Sequence, residues 1–223
     1  MNLSKSLEFF DPSMCKERIH IIGCGSVGST LAELLARFGL TKMSLYDMDI
    51  VEPKNIANQM FYAKHVSQPK VDAVKETIIE INPEAEIKTH PNGWTDQPLD
   101  GYVFIAVDNI DTRRKIVEAN QYNNYVKAIF DFRTGLTDGQ HYAADWSIVK
   151  DRKNLLAFMQ FTHEEAKLNS RFTACNIELC IAPTVRLLCN VGVANFINFV
   201  KDGKLKHIIT ADAFDFDKGI VAV

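Results

Sequence analysis

The spacing of hydrophobic residues along the chain predicts alternating strands and helices. Apolar runs at 18–22 and 43–47 are typical of short strands, and between them, at 29–38, apolar residues recur at helical spacing. Gly39 is expected to end this helix, because glycine readily takes positive φ. The order strand, helix, strand with short links predicts a right-handed βαβ crossover in a parallel sheet.

The same alternation continues over the rest of the chain. It predicts helices at 70–81, 112–120 and 183–200, and strands at 85–90, 102–107, 125–132, 140–149, 206–210 and 213–216. The last two strands are expected to form a closing antiparallel pair. Residues 49–63 are interpreted as a loop or short helical turns, and about 150–176 as a crossover segment or mobile loop with a helical piece. We expect one α/β domain over residues 1–223, Rossmann-like, with a mostly parallel sheet and a few antiparallel strands in the C-terminal part.

A glycine-rich loop follows the first predicted strand and opens the first helix. Gly23, Gly25 and Gly28 have the G-x-G-x-x-G spacing, in which the glycines permit a tight turn, approach to phosphate and close helix–strand packing. The helix N-terminus then offers free N–H groups to phosphate. Asp47 ends the next strand, where a carboxylate meets ribose hydroxyls. These features predict nucleotide binding, but the pattern alone does not separate NAD, FAD and ATP, and a tight turn without a ligand is the plainer alternative.

Four stretches together resemble the ThiF/MoeB/HesA enzymes, which are relatives of ubiquitin-activating enzymes. They are the loop at 22–29; residues 46–59, similar to the family's D-x-D-x-V-x-x-x-N-L-x-R-Q; the helix that Lys70 opens and Asn82-Pro83 ends; and residues 107–113, similar to T-D-N-x-x-T-R. They span about residues 18–115, and the helix at 183–200 also fits the family's late helix.

The resemblance implies an adenylyltransferase that uses ATP and Mg²⁺ to activate the C-terminal carboxylate of a small β-grasp protein, either ubiquitin-like or a sulfur carrier. It also implies a homodimer, with the helix at 183–200 either in the interface or in the core. By the same resemblance Asp47 would hold the ribose, Asn55 and Gln59 would border the nucleotide, and Lys70 would contact phosphate. Asp108 would hold Mg²⁺, so Asp108 and Lys70 are the expected catalytic residues. The full set of expected nucleotide contacts is Gly23, Gly25, Ser26, Gly28, Asp47, Asp49, Asn55, Asn58, Gln59, Lys70 and Asn109.

Charge neutralisation is what this chemistry requires, because carboxylate attack at the α-phosphate brings two anions together. A lysine, a metal-holding carboxylate and a helix N-terminus are suitable parts, and Mg²⁺ takes only one or two protein carboxylates. Plainer alternatives remain for each residue. Lys70 could be a solvated first-turn residue and Asp49 a loop residue, while Asp108 and Asp111 could cap the helix near Thr112.

The chain departs from the family pattern at Asn58, where relatives have an arginine that neutralises the triphosphate. Lys5 is also the only basic residue among residues 1–15, whereas relatives often supply an arginine from the N-terminal segment of the partner subunit. The candidates to compensate are Lys54, Lys64, Arg113 and Arg114. Two alternatives therefore stay open: an ATP-binding module without adenylation, and an NAD(P)-dependent oxidoreductase that would rely on His141-Tyr142.

Composition narrows the remaining possibilities. A net charge of −3 gives no general attraction to nucleic acid or to an anionic membrane, and no apolar run reaches the roughly 20 residues that span a bilayer. The five cysteines form no CxxC pair, which favours a reducing, cytoplasmic setting and argues against zinc. Cys175 in the predicted crossover segment, beside Arg171, is either a thiolate that passes the carrier protein onward or a buried structural cysteine.

Overall fold

A mixed sheet of eight strands organises the chain in the computed structural model, which describes residues 1–168 and 179–223. The described strands are β1 (Ile19–Ile22), β2 (Lys42–Tyr46), β3 (Glu86–His90), β4 (Gly101–Ile105), β5 (Val126–Thr134), β6 (Asp138–Asp145), β7 (Ile208–Asp212) and β8 (Ile220–Ala222). The described α-helices are α1 (Ser26–Arg37), α2 (Lys70–Ile81), α3 (Ile110–Ala119), α4 (Val149–Ala157), α5 (His163–Leu168) and α6 (Ala182–Asp202).

The strand order is β3-β2-β1-β4-β5-β6-β7-β8. Strands β1 to β5 are parallel, and β6, β7 and β8 are each antiparallel to the strand before them. The predicted α/β class, with a mostly parallel sheet and antiparallel strands in the C-terminal part, is confirmed. The order reverses direction between β1 and β4, so the chain leaves opposite ways from two adjacent strands. In open α/β sheets this point is where ligands bind, beyond the carboxyl ends of the strands.

Helices cover both faces of the sheet because successive strand residues point to opposite sides. On one face Ile21 of β1 and Phe104 of β4 pack with buried residues of α1, α2 and α6. On the other face Ile22 and Val103 pack with buried residues of α3 and α4. Helix α6 contributes its buried side to the first core, including Leu188, which is fully inaccessible. No helix within the described ranges is both long and apolar enough to cross a membrane.

The predicted strand at 213–216 is wrong. The strand that pairs with β7 is β8, which begins four residues after the predicted strand ends. The Asp212 carboxylate accepts backbone N–H bonds from Phe214 and Asp215, at 3.0 and 2.9 Å. Such local bonds compete with ladder pairing, so the chain turns instead of extending. Gly219, with φ of 53°, completes the turn into β8.

The predicted crossover segment contains two helices in its described part, α4 and α5, the latter with two glutamates in its first turn. Strand β6 ends at Asp145. The prediction that this strand continues through residues 146–149 is therefore wrong. The second half of the segment, including Cys175, lies outside the described residues.

His141 lies in β6 with no exposed surface and its ring stacked on Phe132, the centroids 4.4 Å apart. Its Nε2 is 3.1 Å from the Asn195 amide nitrogen. Burial lowers the pKa of His141 from 6.5 to about 4. The unfolded chain therefore binds the extra proton between these two values, and stability is lost as the pH falls from 6.5 toward 4.

His141→Phe should reduce the loss of stability in acid. The phenyl ring keeps the stacking and removes the titrating nitrogen. Between pH 6.5 and 4 the wild type should lose about 3 kcal/mol more unfolding free energy than the variant. Urea unfolding at a series of pH values measures both curves. Parallel curves for the two proteins would contradict the assignment.

Candidate functional site

The glycine loop connects β1 to α1 at the carboxyl end of the parallel strands. Gly23 has φ of 95°, a conformation that side chains rarely adopt, and its N–H donates to the Tyr46 carbonyl at 2.8 Å. A Cβ at Gly23 would lie 2.7 Å from the Ala106 carbonyl, and one at Gly28 would lie 1.8 Å from the Gly23 carbonyl oxygen. These two glycines therefore permit close packing of the loop against β4 and of α1 against the loop.

Gly25 differs from the other two glycines because space opens in front of it. A Cβ at this position would meet no described atom within 4 Å. Gly25 is also the N-cap of α1, and no described side chain caps the helix there. The first amide of the helix to find a backbone partner is that of Ser29, which donates to Gly25. Within residues 1–168 and 179–223, the helix N-terminus thus faces open space with N–H groups that have no partner, an arrangement suited to phosphate.

Asp47 follows β2 and holds the glycine loop by hydrogen bonds. One carboxylate oxygen accepts the Cys24 N–H at 2.6 Å and the other accepts the Asp49 N–H at 2.8 Å. Burial raises the pKa of Asp47, against these two N–H donors and Lys70, which lower it. A carboxylate has about four acceptor sites. Asp47 is therefore positioned beside the loop with acceptor capacity left for ribose hydroxyls.

Lys70 begins α2 and is buried, with its side chain 10% exposed. Its Nζ lies 2.7 Å from the carboxylate of Asp49, whose side chain is 62% exposed. Its backbone N–H also donates to the Asp49 carbonyl at 2.9 Å. The structure thus rules out a solvated first-turn lysine, and it gives Asp49 a partner. Asp49 orients the ammonium group and partly neutralises it.

Asp108 lies just past the carboxyl end of β4, where its side chain is exposed and forms no ion pair with a described residue. The N-cap of α3 is Asn109, whose side chain accepts the Thr112 N–H at 3.0 Å. Asp111 pairs instead with Arg114 at 2.9 Å. The cap of α3 is therefore Asn109 and neither of the two aspartates, which leaves the Asp108 carboxylate available.

A magnesium site here would have to rest on few protein ligands. Among the described residues no three His, Cys, Asp or Glu side chains cluster as a metal site. Mg²⁺ bound to a nucleotide commonly takes one or two carboxylates and completes its shell with phosphate and water. The single free carboxylate of Asp108, beside the glycine loop, fits that kind of site.

Asn55, Asn58 and Gln59 lie in and after a 3-10 helix at Pro53–Ala57. The buried Asn55 side chain accepts the Glu52 N–H at 2.9 Å, so its visible role is to cap that helix. Asn58 donates its amide to the Cys180 carbonyl at 3.1 Å. The side-chain oxygen of Gln59 is buried without a hydrogen-bond partner among the described residues. An orphaned buried acceptor is costly, and a donor group on a bound ligand would satisfy it.

The four cations considered as substitutes for the family arginine are all engaged. Lys54 pairs with Glu52 at 2.9 Å, and Lys64 pairs with Glu76 and Glu80. Arg113 is buried against Asp131, and Arg114 pairs with Asp111 and also donates to the Met159 and Phe161 carbonyls. Each of these four cations therefore already has a carboxylate partner, in an exposed pair for Lys54 and in a buried pair for Arg113.

The structure adds two residues that the sequence reasoning missed. Cys180, just before α6, contacts the glycine loop through its Sγ, 3.5 Å from the Ser26 hydroxyl, as well as accepting the Asn58 amide. Arg186 projects from the start of α6 toward Met60, with Nη2 3.7 Å from the Met60 sulfur. The available signal for Arg186 was its position as the one charged residue within 182–200. Burial raises the pKa of Cys24 and of Cys189, which fits core thiols.

Comparison with known proteins identifies the family to which the chain belongs. The family model described as "ThiF family" matches residues 13–217. Ubiquitin-like modifier-activating enzyme 5 of Caenorhabditis elegans is 34% identical over 98 residues, 44% of this chain and 21% of that protein. The protein of the same name from Drosophila virilis is 32% identical over 143 residues, 56% of this chain and 34% of that protein. The aligned stretches thus cover only a fifth to a third of these relatives.

Solved structures show the same fold at low sequence identity. The crystal structure of PaaA has a TM-score of 0.72 at 16% identity and covers 95% of this chain and 65% of its own. The structure of E. coli MccB with ATP has a TM-score of 0.67 at 17% identity, with the same two coverages. Since the family model spans nearly the whole chain, glycine loop and surrounding polar residues included, the chain belongs to the ThiF family.

Proposed function

We propose that the chain is an ATP-dependent adenylyltransferase that activates the C-terminal carboxylate of a small ubiquitin-like or sulfur-carrier protein. One observation carries the proposal: three polar residues follow or adjoin the parallel strands beside the glycine loop. Asp47 accepts the Cys24 N–H of the loop, Lys70 is held by Asp49 two residues after Asp47, and Asp108 follows the Ala106-Val107 backbone that packs against Gly23. In the proposed function, Asp47 would accept ribose hydroxyls, Lys70 would contact phosphate and Asp108 would hold a metal ion, beside a helix N-terminus that no described side chain caps.

The proposed step transfers AMP to the carrier. A carboxylate oxygen of the carrier attacks the α-phosphorus of ATP, the bond from that phosphorus to the bridging oxygen breaks, and pyrophosphate leaves. Lys70 and the α1 N-terminus would offset the charge that accumulates as the two anions approach. Asp108 would hold Mg²⁺, which when bound supplies further charge neutralisation and aligns the phosphates. Asp49 would keep the Lys70 ammonium in place.

Names of relatives support the class of substrate. The two curated relatives named above are ubiquitin-like modifier-activating enzymes, and structures of MccB, a neighbour in fold, were solved with ATP and with MccA. We infer that this chain handles the same kinds of ligand. We further propose, from the family resemblance, that it works as a homodimer, which light scattering of the purified protein tests directly.

ATP–pyrophosphate exchange tests the proposal. A panel of small β-grasp proteins ending in Gly-Gly serves as the probe, with labelled pyrophosphate, ATP and Mg²⁺. Label should enter ATP only in the presence of an accepted carrier. Calorimetric titration with ATP and separately with NADH should show binding of ATP alone. A preference for NADH would overturn the proposal.

The second candidate function is an ATP-binding module that no longer adenylates. Asn58 favours it, because the position that holds an arginine in relatives here has an uncharged side chain bonded to the Cys180 carbonyl. Tight ATP binding without exchange, across the whole carrier panel, would select this reading. The oxidoreductase alternative rested on the pair His141-Tyr142, and it loses the histidine of that pair, since His141 is fully buried in the core.

Gly25 and Gly28 give a matched pair of variants for nucleotide binding. Gly25→Ala adds a methyl group into the open space and should lower ATP affinity about tenfold or more by blocking approach of phosphate, with little change in Tm. Gly28→Ala places its methyl group against the Gly23 carbonyl and should cost several kcal/mol of stability, roughly the cost of overpacking a core. Calorimetry with ATP and thermal unfolding separate the two effects. Equal Tm values for the two variants would contradict the packing argument.

A further inference from the structure

Arg186 is a cation beside the candidate site that the proposed mechanism does not use. It lies in the second turn of α6, with an exposed side chain that forms no ion pair with any described residue. Its side chain contacts the Met60 sulfur, a weak and neutral acceptor. The guanidinium is therefore held next to Met60 without being neutralised there.

The surroundings of Arg186 connect it to the nucleotide edge of the sheet. Met60 directly follows the segment that contains Asn58 and Gln59, and its N–H donates to the Ser29 hydroxyl in the first turns of α1 at 3.1 Å. Cys180, six residues before Arg186 and just outside α6, contacts Ser26 and Asn58. The arginine thus projects from a helix whose start borders the glycine loop, toward the residues that follow position 58.

Among the residues that the structure describes, the candidate site has little positive charge to spare. A triphosphate carries several negative charges, while the ammonium of Lys70 is already shared with Asp49. Lys54, Lys64, Arg113 and Arg114 each have a carboxylate partner. Arginine has a long flexible stem and a planar fork of donors that matches phosphate oxygens. Arg186 combines an unpaired guanidinium with a position near the site, which none of these four cations does.

We propose that Arg186 binds the β- and γ-phosphates of ATP and so supplies, from α6, the positive charge that Asn58 does not. This inference rests on the proposed use of ATP. It assigns Asn58 a different part, in which its amide fixes the Cys180 carbonyl and with it the start of α6. Arg186 then makes the site prefer a nucleoside triphosphate to a nucleoside monophosphate.

Arg186→Met tests the inference, because Met keeps much of the apolar stem and removes the charge. Calorimetric titration with ATP and with AMP, both in the presence of Mg²⁺, is performed on the wild type and the variant. ATP affinity should fall by about tenfold to a hundredfold, the loss typical of a hydrogen bond to a charged group, and AMP affinity by less than about twofold.

The control is Arg37→Met, an exposed arginine in the last turn of α1 that pairs with Glu33. It should leave both affinities unchanged. Unchanged ATP affinity in Arg186→Met, or equal losses for ATP and AMP, would overturn the role of Arg186 while leaving the proposed function standing. A wild-type protein that does not bind ATP would overturn the proposed function itself, so the two failures are distinguishable.

Discussion

Asp108→Asn should reduce ATP–pyrophosphate exchange by about a hundredfold or more, the size of effect seen when one group that stabilises transition-state charge is removed. The carboxylate is exposed, follows β4 at the edge where the glycine loop lies, and is bonded to no described cation. Its visible environment gives it no structural task. Loss of its charge should therefore affect the chemistry and not the fold, and Tm should stay within about 2 °C of the wild type.

Asp111→Asn is the matched control for this substitution. It removes the same charge three residues away, in the first turn of α3, where the carboxylate pairs with Arg114 in solvent. Exchange should remain within about twofold of the wild type, since exposed ion pairs contribute little. Equal rates for the two variants would remove Asp108 from the proposed metal site. A large loss of ATP affinity in both would point to a general electrostatic effect of this edge.

Asp131→Ala should cost about 3–5 kcal/mol of unfolding free energy, the loss typical of leaving a buried charge without its partner. The Asp131 side chain is completely buried in β5 and accepts bonds from two arginines. One is Arg113 of α3, which is 8% exposed and also donates to the Phe132 carbonyl at 2.7 Å. The other is Arg133, whose Nε lies 2.7 Å from the second carboxylate oxygen. Removing the Asp131 carboxylate leaves both guanidinium groups without their anionic partner.

Chemical unfolding measures this effect, with two further variants to test its origin. Asp111→Ala breaks only an exposed pair and should cost less than about 1 kcal/mol. Replacing Arg113, Asp131 and Arg133 together by Met, Leu and Met should recover most of the lost stability, because apolar groups of similar volume need no partner. If the triple variant were as unstable as Asp131→Ala, lost packing and not the stranded charges would be the cause.

This triad also explains the arginine of the T-R motif. At the sequence level Arg113 was a candidate to neutralise phosphate, since nothing in a local pattern shows what a long side chain will meet. In the structure it anchors α3 to β5. That contact fixes the start of α3, and with it the position of Asp108 two residues earlier.

Strongly periodic or glycine-rich segments were predictable because their signals are local. The βαβ unit, the strand at β4 and the long helix α6 were found within a few residues of their bounds, and the tight turn at Gly23 follows from glycine's freedom to adopt positive φ. The closing strand was missed because Asp212 bonds its own backbone two and three residues on. The apolar residues of the strand predicted at 213–216 did not reveal that the backbone there would bond to Asp212 instead.

The sequence by itself determined the fold class, the glycine loop, and which polar side chains end the parallel strands, because strand ends and loops are written in short-range patterns. Only the tertiary structure decided which contacts those side chains make. Asn109 caps α3, Lys70 pairs with Asp49, and Arg113 pairs with Asp131 in the core. In the folded chain Arg186 also contacts Met60, which lies 126 residues earlier in the sequence. Such contacts depend on how helices pack across the sheet, and packing depends on the whole chain at once.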